Sequence, residues 1–528
     1  MDKNLLWAVT LSIGIYAVWF GFVEKRYIKP AAGKNVAVAT PSPEAARQGA
    51  PSSEGSRSPL PERTQATPPT EETQKAPAEP ADRKALESGS AALPADDSVL
   101  RIHPAGAAVV SCRFRGPLGD VELIPEPQPG FFSTWPKLRF RTESSSQGLR
   151  FAAERPDGMR VVKEYLPGGR GTLPRLRLTL SNPTRQPLAG GDWTLSIGPG
   201  LGTVPSEMKE NQSVWRAAGL LFGEKGLNGK VEVFKQAGEH SGPYRWVGVD
   251  NRYFLAAVVP AEGDFEGVES ALPPKVVLRA KNVPVAGGEQ RVWDIPYYFG
   301  AKSQLGLARY GAGLERAIDF GYFAWLARKM MQLLGFLHAR VGNWGWAIVL
   351  MTFFIQALLF PLTYKSMKAM AVMKKLQPDI ARLQQKYAKE PQRLNSEMME
   401  LYKKSGANPL GGCLPLLLQM PVFIALFNAL RNSWELHGVP WMLWVRDLSA
   451  KDPYYVLPIV MGAVMWGQNR LNPATTTDPT QKAMMNWMPV IFTVMFVSTP
   501  SGLVLYWLTS SLISATLTLG LRRRFEAA

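Results

Sequence analysis

Residues 484–521, MMNWMPVIFTVMFVSTPSGLVLYWLTSSLISATLTLGL, decide the fold of this chain. The stretch contains no Asp, Glu, Lys or Arg, and a membrane-spanning helix needs only about 20 predominantly apolar residues. It is therefore too long for one span, and Pro500-Ser501-Gly502 interrupts it. The pattern predicts two successive spans, one that ends near Thr499 and one that runs to about Leu521.

Four further apolar stretches precede this pair. They are residues 5–23, 342–361, 411–430 and 454–471. The first follows Lys3 and exceeds the core of a signal peptide, which is usually about 7–15 residues, so we expect an uncleaved signal anchor over residues 1–24. The predicted fold class is a polytopic α-helical membrane protein with six transmembrane helices, five of them in a core over residues 342–528.

The net charge of +17 suits either a nucleic-acid-binding protein or a membrane protein with basic loops. The basic residues lie between the apolar stretches, which favours the membrane. Residues 364–410 carry ten Lys or Arg and four acids, so we expect this loop to be cytoplasmic. Six crossings then place both chain ends in the cytoplasm of a bacterial cell, with the large domain on the periplasmic side of the inner membrane.

The basic loop is also periodic. Apolar residues recur at three- and four-residue steps before and after Pro391, and Gly406 suits a helix stop. This predicts a cytoplasmic helical hairpin over residues 364–407 with packed apolar faces and a charged outer face for a ribosome or lipid headgroups. The cations of interest are Lys374, Lys375, Arg382, Lys386, Lys403 and Lys404.

Two regions of different character separate the first two spans. Residues 31–97 contain ten prolines and no Phe, Tyr or Trp, which predicts a disordered tether over residues 25–97. Residues 98–300 contain many short runs with a period of two, which predicts a periplasmic all-β sandwich. Such runs cover residues 108–114, 159–166, 175–180, 230–235, 244–249 and 253–259. No spacing of His, Cys, Asp or Glu indicates a catalytic or metal site.

The region over residues 301–341 joins the β-domain to the core. Its later part mixes Trp325, Leu326 and Met330 with Arg328 and Lys329. This predicts an amphipathic helix in the periplasmic membrane interface. The alternative is a helix that packs only against the β-domain.

Several short strings resemble the YidC branch of the YidC/Oxa/Alb insertases, in the form with a large periplasmic domain. They are NPLGGCLP at 408–415, QMPVF at 419–423, DLS at 447–449, DPYY at 452–455 and PSGLVLY at 500–506. The resemblance is strong from about residue 300 onward. It implies a five-helix insertase core around a hydrophilic groove, open to the cytoplasm and to lipid. It also implies a β-domain similar to galactose mutarotases without their chemistry.

The resemblance further implies which residues line a substrate groove. The predicted set is Thr352, Gln356, Gln419, Met420, Phe423, Leu503 and Trp507. Family members usually carry an arginine at the position of Gln356, and an arginine at that depth costs about 2.5–3.5 kcal/mol on insertion scales. Glutamine is uncharged but still forms hydrogen bonds, so the groove can stay wet without attracting acidic segments by charge. For hydroxyl residues of the spans, an interhelical hydrogen bond is the simpler interpretation.

The functional hypothesis is a membrane protein insertase and chaperone that performs no bond chemistry and needs no cofactor. It moves small or Sec-delivered membrane proteins into the inner membrane, with nascent membrane proteins, the Sec translocon, the ribosome and the phospholipid bilayer as partners. Two alternatives stay open: a transporter or channel with a β-domain cap, and an anchored periplasmic sugar-binding protein. The predicted spans contain no Asp or Glu, which argues against a proton-coupled transporter.

Overall fold

The strands of this protein occupy the first half of the described chain and the long helices the second half. The computed structural model describes residues 80–143, 145, 147–169, 171–190, 193–204, 215–222, 229–406, 414–471 and 479–527. The chain divides into two compact units, and all described residues belong to the unit Pro80–Asn211 with Trp215–Ala528. The predicted span over residues 5–23 and the tether up to residue 79 lie outside the described residues.

Seventeen strands in the described chain form three antiparallel sheets. They are β1 Ala91–Pro94, β2 Ser98–His103, β3 Ala108–Gly116, β4 Gly119–Glu122, β5 Arg141–Glu143, β6 Leu149–Glu154, β7 Arg160–Leu166, β8 Arg175–Ser181, β9 Thr194–Ile197, β10 Arg216–Leu221, β11 Val231–Phe234, β12 Gly238–His240, β13 Tyr244–Asp250, β14 Phe254–Val258, β15 Phe265–Ala271, β16 Lys275–Ala280 and β17 Gln290–Ala301. The sheet orders are β1-β2-β3-β4, β11-β10-β13-β14-β17-β8-β7-β6-β5 and β12-β15-β16-β9.

The inner faces of these sheets share one apolar core. In β8, Leu176, Leu178 and Leu180 are buried while the residues between them are more exposed, which confirms the period of two. Each of the six runs predicted as strands contains a strand. The prediction succeeds because alternation is written locally along an antiparallel strand that is buried on one face.

The outer face of the nine-stranded sheet is partly covered as well. Every residue of β14 is buried, because Leu255 and Ala257 face a second cluster that includes Leu307 and Leu314. Leu307 belongs to the short helix Gln304–Ala308, and Leu314 begins a 3-10 turn over Leu314–Ala317. The first half of the predicted amphipathic region is thus part of the β-domain.

Ten α-helices are described. They are α1 Pro80–Ser88, α2 Gln304–Ala308, α3 Ala324–Val341, α4 Trp344–Lys375, α5 Gln377–Lys386, α6 Pro391–Lys404, α7 Leu414–Asn432, α8 Val456–Leu471, α9 Pro479–Phe496 and α10 Ser501–Ala527. Helix α3 ends at Val341 and is capped by Gly342, whose φ lies in the left-handed region; the Asn343 side chain caps α4 by accepting a hydrogen bond from the Trp346 amide. The two helices therefore follow each other after a sharp turn.

Helix α3 packs on the helical core. Its buried residues Ala327, Met330, Met331 and Leu334 join the same cluster as α4 and α7, so the alternative of a helix packed only against the β-domain is wrong. Its other face leaves Trp325 and Phe336 exposed. This two-sided character suits a helix in a membrane interface.

The helical core leaves large apolar side chains uncovered. Among the described helices, two are long and apolar enough to cross a membrane, Trp344–Lys375 and Ser501–Leu521, and Ala483–Phe496 is a shorter apolar helix. Exposed apolar side chains on α4, α8 and α9 include Phe354, Leu358, Ile459, Trp487 and Val494. Surfaces of this kind are stable in lipid and unfavourable in water.

Two predicted boundaries in the core can be compared with the structure. Helix α9 ends at Phe496 and α10 begins at Ser501, so the predicted break at Pro500 is confirmed. The amide of Ser501 donates to the Ala450 carbonyl at 2.7 Å, which satisfies the new helix start. Helix α4, in contrast, continues through Pro361 to Lys375 rather than ending at residue 361. The apolar run ends there, but the helix does not.

The tether prediction requires a correction at its C-terminal end. Residues 80–97 include helix α1 and strand β1, and β1 pairs with β2. The Arg83 guanidinium donates to the carbonyls of Ile124 and Pro125 at 2.9 and 2.7 Å. These contacts with distant residues supply the stability that the local composition lacks.

A buried ion network joins the β-domain to the segment before α3. The carboxylate of Asp250 accepts from Arg216 at 2.7 and 2.9 Å and from Lys302 at 2.9 Å. Arg216 also donates to the Ala317 carbonyl at 2.6 Å. Burial alone would raise the pKa of Asp250, but the two cations hold it below its ordinary value.

The β-domain also contacts the end of α7. The guanidinium of Arg252 donates to the Arg431 carbonyl at 3.0 and 2.8 Å, which satisfies a carbonyl in the last turn of α7. Trp434, just beyond that helix, packs its ring on Phe114 and Phe254 with centroids 5.5 and 5.1 Å apart. The sandwich is therefore attached directly to the helical core.

Candidate functional site

Three glutamine side chains from three helices meet one face of α10. Gln356 of α4 donates to the Ser510 hydroxyl at 2.5 Å, and Gln468 of α8 donates to the Ser514 hydroxyl at 2.8 Å. Gln419 of α7 donates to the Tyr506 hydroxyl. We call these six residues the amide–hydroxyl seam.

The spacing of the three hydroxyls explains the geometry of the seam. Residues 506, 510 and 514 are four positions apart, and such residues lie on one face of a helix. With a rise of about 1.5 Å per residue, the hydroxyl-bearing positions extend over about 12 Å of the α10 axis. Each glutamine therefore meets α10 at a different depth.

The hydroxyl residues of the seam are more deeply buried at one end than at the other. Tyr506 is fully buried, whereas Ser510 and Ser514 are half-buried. The three glutamines are half-buried as well. Because a glutamine amide has two donor hydrogens and an acceptor oxygen, each retains hydrogen-bonding capacity beyond the bond it makes here. The seam can bind polar groups without a charge.

Two of the predicted groove residues lie in this seam, namely Gln356 and Gln419. Two others are buried elsewhere: Thr352 donates to the Ile348 carbonyl of its own helix at 2.7 Å, and Leu503 lies inside the core cluster. The structure therefore satisfies Thr352 within α4 rather than through an interhelical bond.

The remaining predicted groove residues are half-buried and largely aromatic. The rings of Phe423 and Trp507 are 5.1 Å apart, edge to face. The ring centroids of Phe492 and Phe496 on α9 lie 5.5 and 5.4 Å from that of Trp507. Met420 lies on α7, one residue after Gln419 of the seam, and is also half-buried. An apolar aromatic cluster thus adjoins the polar seam through the successive residues Tyr506 and Trp507.

Sequence reasoning missed part of the seam. The predicted groove does not include Gln468, Tyr506, Ser510 or Ser514, although the interhelical hydrogen bond predicted for hydroxyl residues of the spans is found at Ser510. The signal that could have found them is the repeat of hydroxyl residues at positions 506, 510 and 514 in an otherwise apolar helix.

The predicted hairpin cations occupy the end of α4 and the helices α5 and α6. All six are exposed, and Ile380 is buried on the opposite side of α5. The Arg382 guanidinium lies 3.6 Å from the Asp379 carboxylate, and Lys404 Nζ lies 2.7 Å from the Glu400 carboxylate. Exposed pairs of this kind contribute little to stability, because solvent screens both charges.

The described residues contain no group of three or more His, Cys, Asp or Glu that could hold a metal ion. The polar groups brought together in the seam are amides and hydroxyls. This arrangement can bind and release hydrogen-bonding groups.

Fold and site together define a class of membrane protein: a helical core with a neutral polar seam, joined to a β-sandwich. Residues 336–528 match the 60Kd inner membrane protein family, and residues 224–333 match the YidC periplasmic domain. The chain is 39% identical over 426 residues to the membrane protein insertase YidC of Endomicrobium trichonymphae, covering 78% of this chain and 80% of the relative.

A second relative and one solved structure are also similar to this chain. The membrane protein insertase YidC of Shewanella halifaxensis is 45% identical over 276 residues, which is 51% of each chain. A crystal structure of an active YidC insertase with its first transmembrane domain resolved aligns with a TM-score of 0.39 at 18% identity, covering 81% of this chain and 92% of that one. On the strength of the Endomicrobium match, this chain belongs to the YidC membrane protein insertase family, which resides in the inner membrane.

Proposed function

We propose that this protein moves hydrophobic segments of newly made membrane proteins into the inner membrane, with the amide–hydroxyl seam as the hydrophilic lining of its groove. The observation that carries the proposal is the convergence of Gln356, Gln419 and Gln468 on one face of α10. The seam lies in a helical core whose outer side chains suit lipid.

The proposed topology has six spans. The sequence predicts the first over residues 5–23, and the proposed five-helix core consists of α4, α7, α8, α9 and α10. Ten cations over residues 364–410 and the run Arg522-Arg523-Arg524 favour a cytoplasmic location for the hairpin and for both termini. The end of the seam near Ser514, where the α10 residues are less buried than Tyr506, then faces the cytoplasm, where a client segment would arrive.

The mechanism follows from the pairing of polar and apolar surfaces. A polar flank moved through plain hydrocarbon would leave its groups unsatisfied, at several kcal/mol each. The seam offers neutral donors and acceptors that can exchange partners with such a flank. The hydrophobic part of the client slides along Met420, Phe423 and Trp507, and its own burial in lipid drives the net step. No bond is made or broken.

The partners proposed beyond the client itself are the Sec translocon and the ribosome. The exposed cations of the hairpin, such as Arg382 and Lys386, suit ribosomal RNA or anionic lipid headgroups. The β-sandwich, which is held to α7 through Arg252, is the large surface on the opposite side of the membrane.

A transporter or channel is the less favoured function. Proton-coupled transport normally uses ionisable relays within the membrane, and the predicted spans contain no Asp or Glu. A liposome assay that measures solute flux and client insertion in parallel separates the two. A sugar-binding function would be lost on removal of residues 98–300, whereas insertion should largely persist.

Site-specific photocrosslinking tests the groove. A photoreactive residue at Gln356 or at Trp507 should form adducts with a small single-span protein during its synthesis, because both positions border the proposed path. Leu358 is the matched control, since it lies two residues from Gln356 on α4 and its side chain is 72% exposed on the outer surface. It should crosslink to lipid rather than to the client. The absence of client adducts at both Gln356 and Trp507 would overturn the groove.

A further inference from the structure

The loop between α7 and α8 carries an apolar turn over residues 441–445, WMLWV. The Trp441 amide donates to the Val445 carbonyl at 3.0 Å, and the Val445 amide donates to the Met442 carbonyl at 3.1 Å. At its apex, Leu443 has φ +53° and is 76% exposed, and Met442 is 40% exposed. We call residues 441–445 the apolar turn.

Such an apex is unfavourable in water for two reasons. Leucine is rarely found at positive φ, where turns usually place Gly, Asn or Asp. Two large apolar side chains side by side at a loop tip also expose hydrocarbon to solvent. The surroundings nevertheless hold the turn in place, because Val445 and Leu448 are buried in the helical core and the Leu448 amide donates to the Val439 carbonyl at 3.0 Å.

The position of the turn is set by its contact with the start of α4. The Asn343 side chain donates to the Trp441 carbonyl at 3.1 Å, and the rings of Trp441 and Trp346 are 5.8 Å apart. A Cβ at Gly345 would lie 2.1 Å from Trp441 Cδ1, so the indole packs directly on the α4 backbone. Trp441 is therefore fixed at the level where α4 begins.

The short chain distance from Trp441 limits how far the apex can lie from the start of α4. Leu443 is two residues after Trp441, and two residues span at most about 7 Å, so Leu443 lies close to the level at which α4 would enter the bilayer. Tryptophan side chains are typical of that level, and Trp346 is exposed there. Arg446, just after the turn, is exposed and suits a lipid phosphate.

We propose that the apolar turn inserts Met442 and Leu443 into the outer leaflet of the inner membrane, with phospholipid as the partner. This rests on the proposed assignment of α4 as a span. The turn would act as a wedge at the membrane surface. The same loop also contacts the start of α10, because the amides of Ser501 and Gly502 donate to the carbonyls of Ala450 and Leu448.

Spin-label accessibility in lipid nanodiscs tests the wedge. The full chain, with Cys112 and Cys413 replaced by alanine, would carry a nitroxide at Leu443→Cys or, as a second probe, at Met442→Cys. Collision rates with oxygen and with a water-soluble nickel chelate measure immersion. We expect oxygen to dominate at both probes. The control is Leu272→Cys, because Leu272 is 68% exposed on the turn between β15 and β16, and nickel should dominate there.

A label at Leu358→Cys separates failure of the wedge from failure of the membrane topology. Lipid exposure at 358 with water exposure at 442 and 443 would overturn the wedge and leave the span in place. Water exposure at 358 as well would overturn the assignment of α4. Low accessibility to both reagents at 443 would indicate cover by protein and would also overturn the lipid proposal.

Discussion

The β-sandwich and the amide–hydroxyl seam of the helical core hold polar groups in different ways. The sandwich buries ionisable groups, as in Lys163, whose Nζ donates to the carbonyls of Gly106, Ala107 and Phe132 at 3.0, 2.8 and 2.5 Å; burial lowers the pKa of this amine well below its ordinary value. The core instead brings together amides and hydroxyls in the seam. A buried charge is costly unless its partners are fixed, whereas a neutral hydrogen bond can exchange partners at low cost.

The two regions differ in how easily their polar contacts can rearrange. The ion network of Asp250 ties the sandwich to the segment before α3, and loss of one partner would leave charge buried. The seam is half-buried and uncharged. We therefore expect the sandwich to be a rigid support, and the seam to be the part that opens for a client.

The largest effect is expected for Asp250→Asn. Removal of the carboxylate leaves Lys302, which is only 3% exposed, without its counter-ion, and breaking a buried pair costs about 3–5 kcal/mol. Thermal unfolding of the full chain in nanodiscs measures the change. The control is Asp294→Asn, because Asp294 pairs with Arg175 and Arg177 at a half-exposed site, where about 0–1 kcal/mol is expected. Equal effects in the two variants would contradict the contrast.

The pH dependence of the same variant sharpens this test. Since Arg216 and Lys302 hold the pKa of Asp250 below its ordinary value, its stabilising contribution is present at neutral pH and is lost as the pH falls through the folded-state pKa. The stability difference between the wild type and Asp250→Asn should therefore be constant near neutral pH and shrink in acid. A difference that grows toward low pH would refute the sign of this linkage.

A smaller effect is expected for Lys163→Met. The substitution keeps an apolar stem of similar length but leaves three backbone carbonyls without their shared donor, at about 1–3 kcal/mol. Lys281→Met is the control, because Lys281 is exposed and surface substitutions usually stay within about 0.5 kcal/mol. Denaturant unfolding, followed by the near-UV signal of the sandwich tryptophans, provides the measurement.

The smallest effect is expected in the seam. A double-mutant cycle of Gln356→Leu and Ser510→Ala should give a coupling energy near the average of about 0.6 kcal/mol for interhelical hydrogen bonds in membranes. Client insertion, measured on the same variants by protease protection, should nevertheless decrease for Gln356→Leu. A coupling energy between Gln356 and Ser510 as large as the loss expected for Asp250→Asn would show that the seam is rigid. The proposed contrast between a rigid sandwich and a mobile seam would then be wrong.

Much of the architecture could be predicted from sequence. The strand over residues 175–180, the break at Pro500 and the helices of the hairpin follow from local patterns of apolar residues, glycine and proline. The ordered end of the tether could not be predicted in this way. Strand β1 depends on pairing with β2, and Arg83 depends on carbonyls about 40 residues away.

The candidate site shows the same division. The sequence by itself determined that the core is apolar, that its predicted spans lack acids, and that hydroxyl residues recur every four positions along α10. Only the tertiary structure decided that Gln356 meets Ser510, that Gln468 meets Ser514, and that Thr352 turns back to its own helix. The reason is physical: periodicity defines a helix face, but the rotation and height of neighbouring helices depend on how all their side chains pack together.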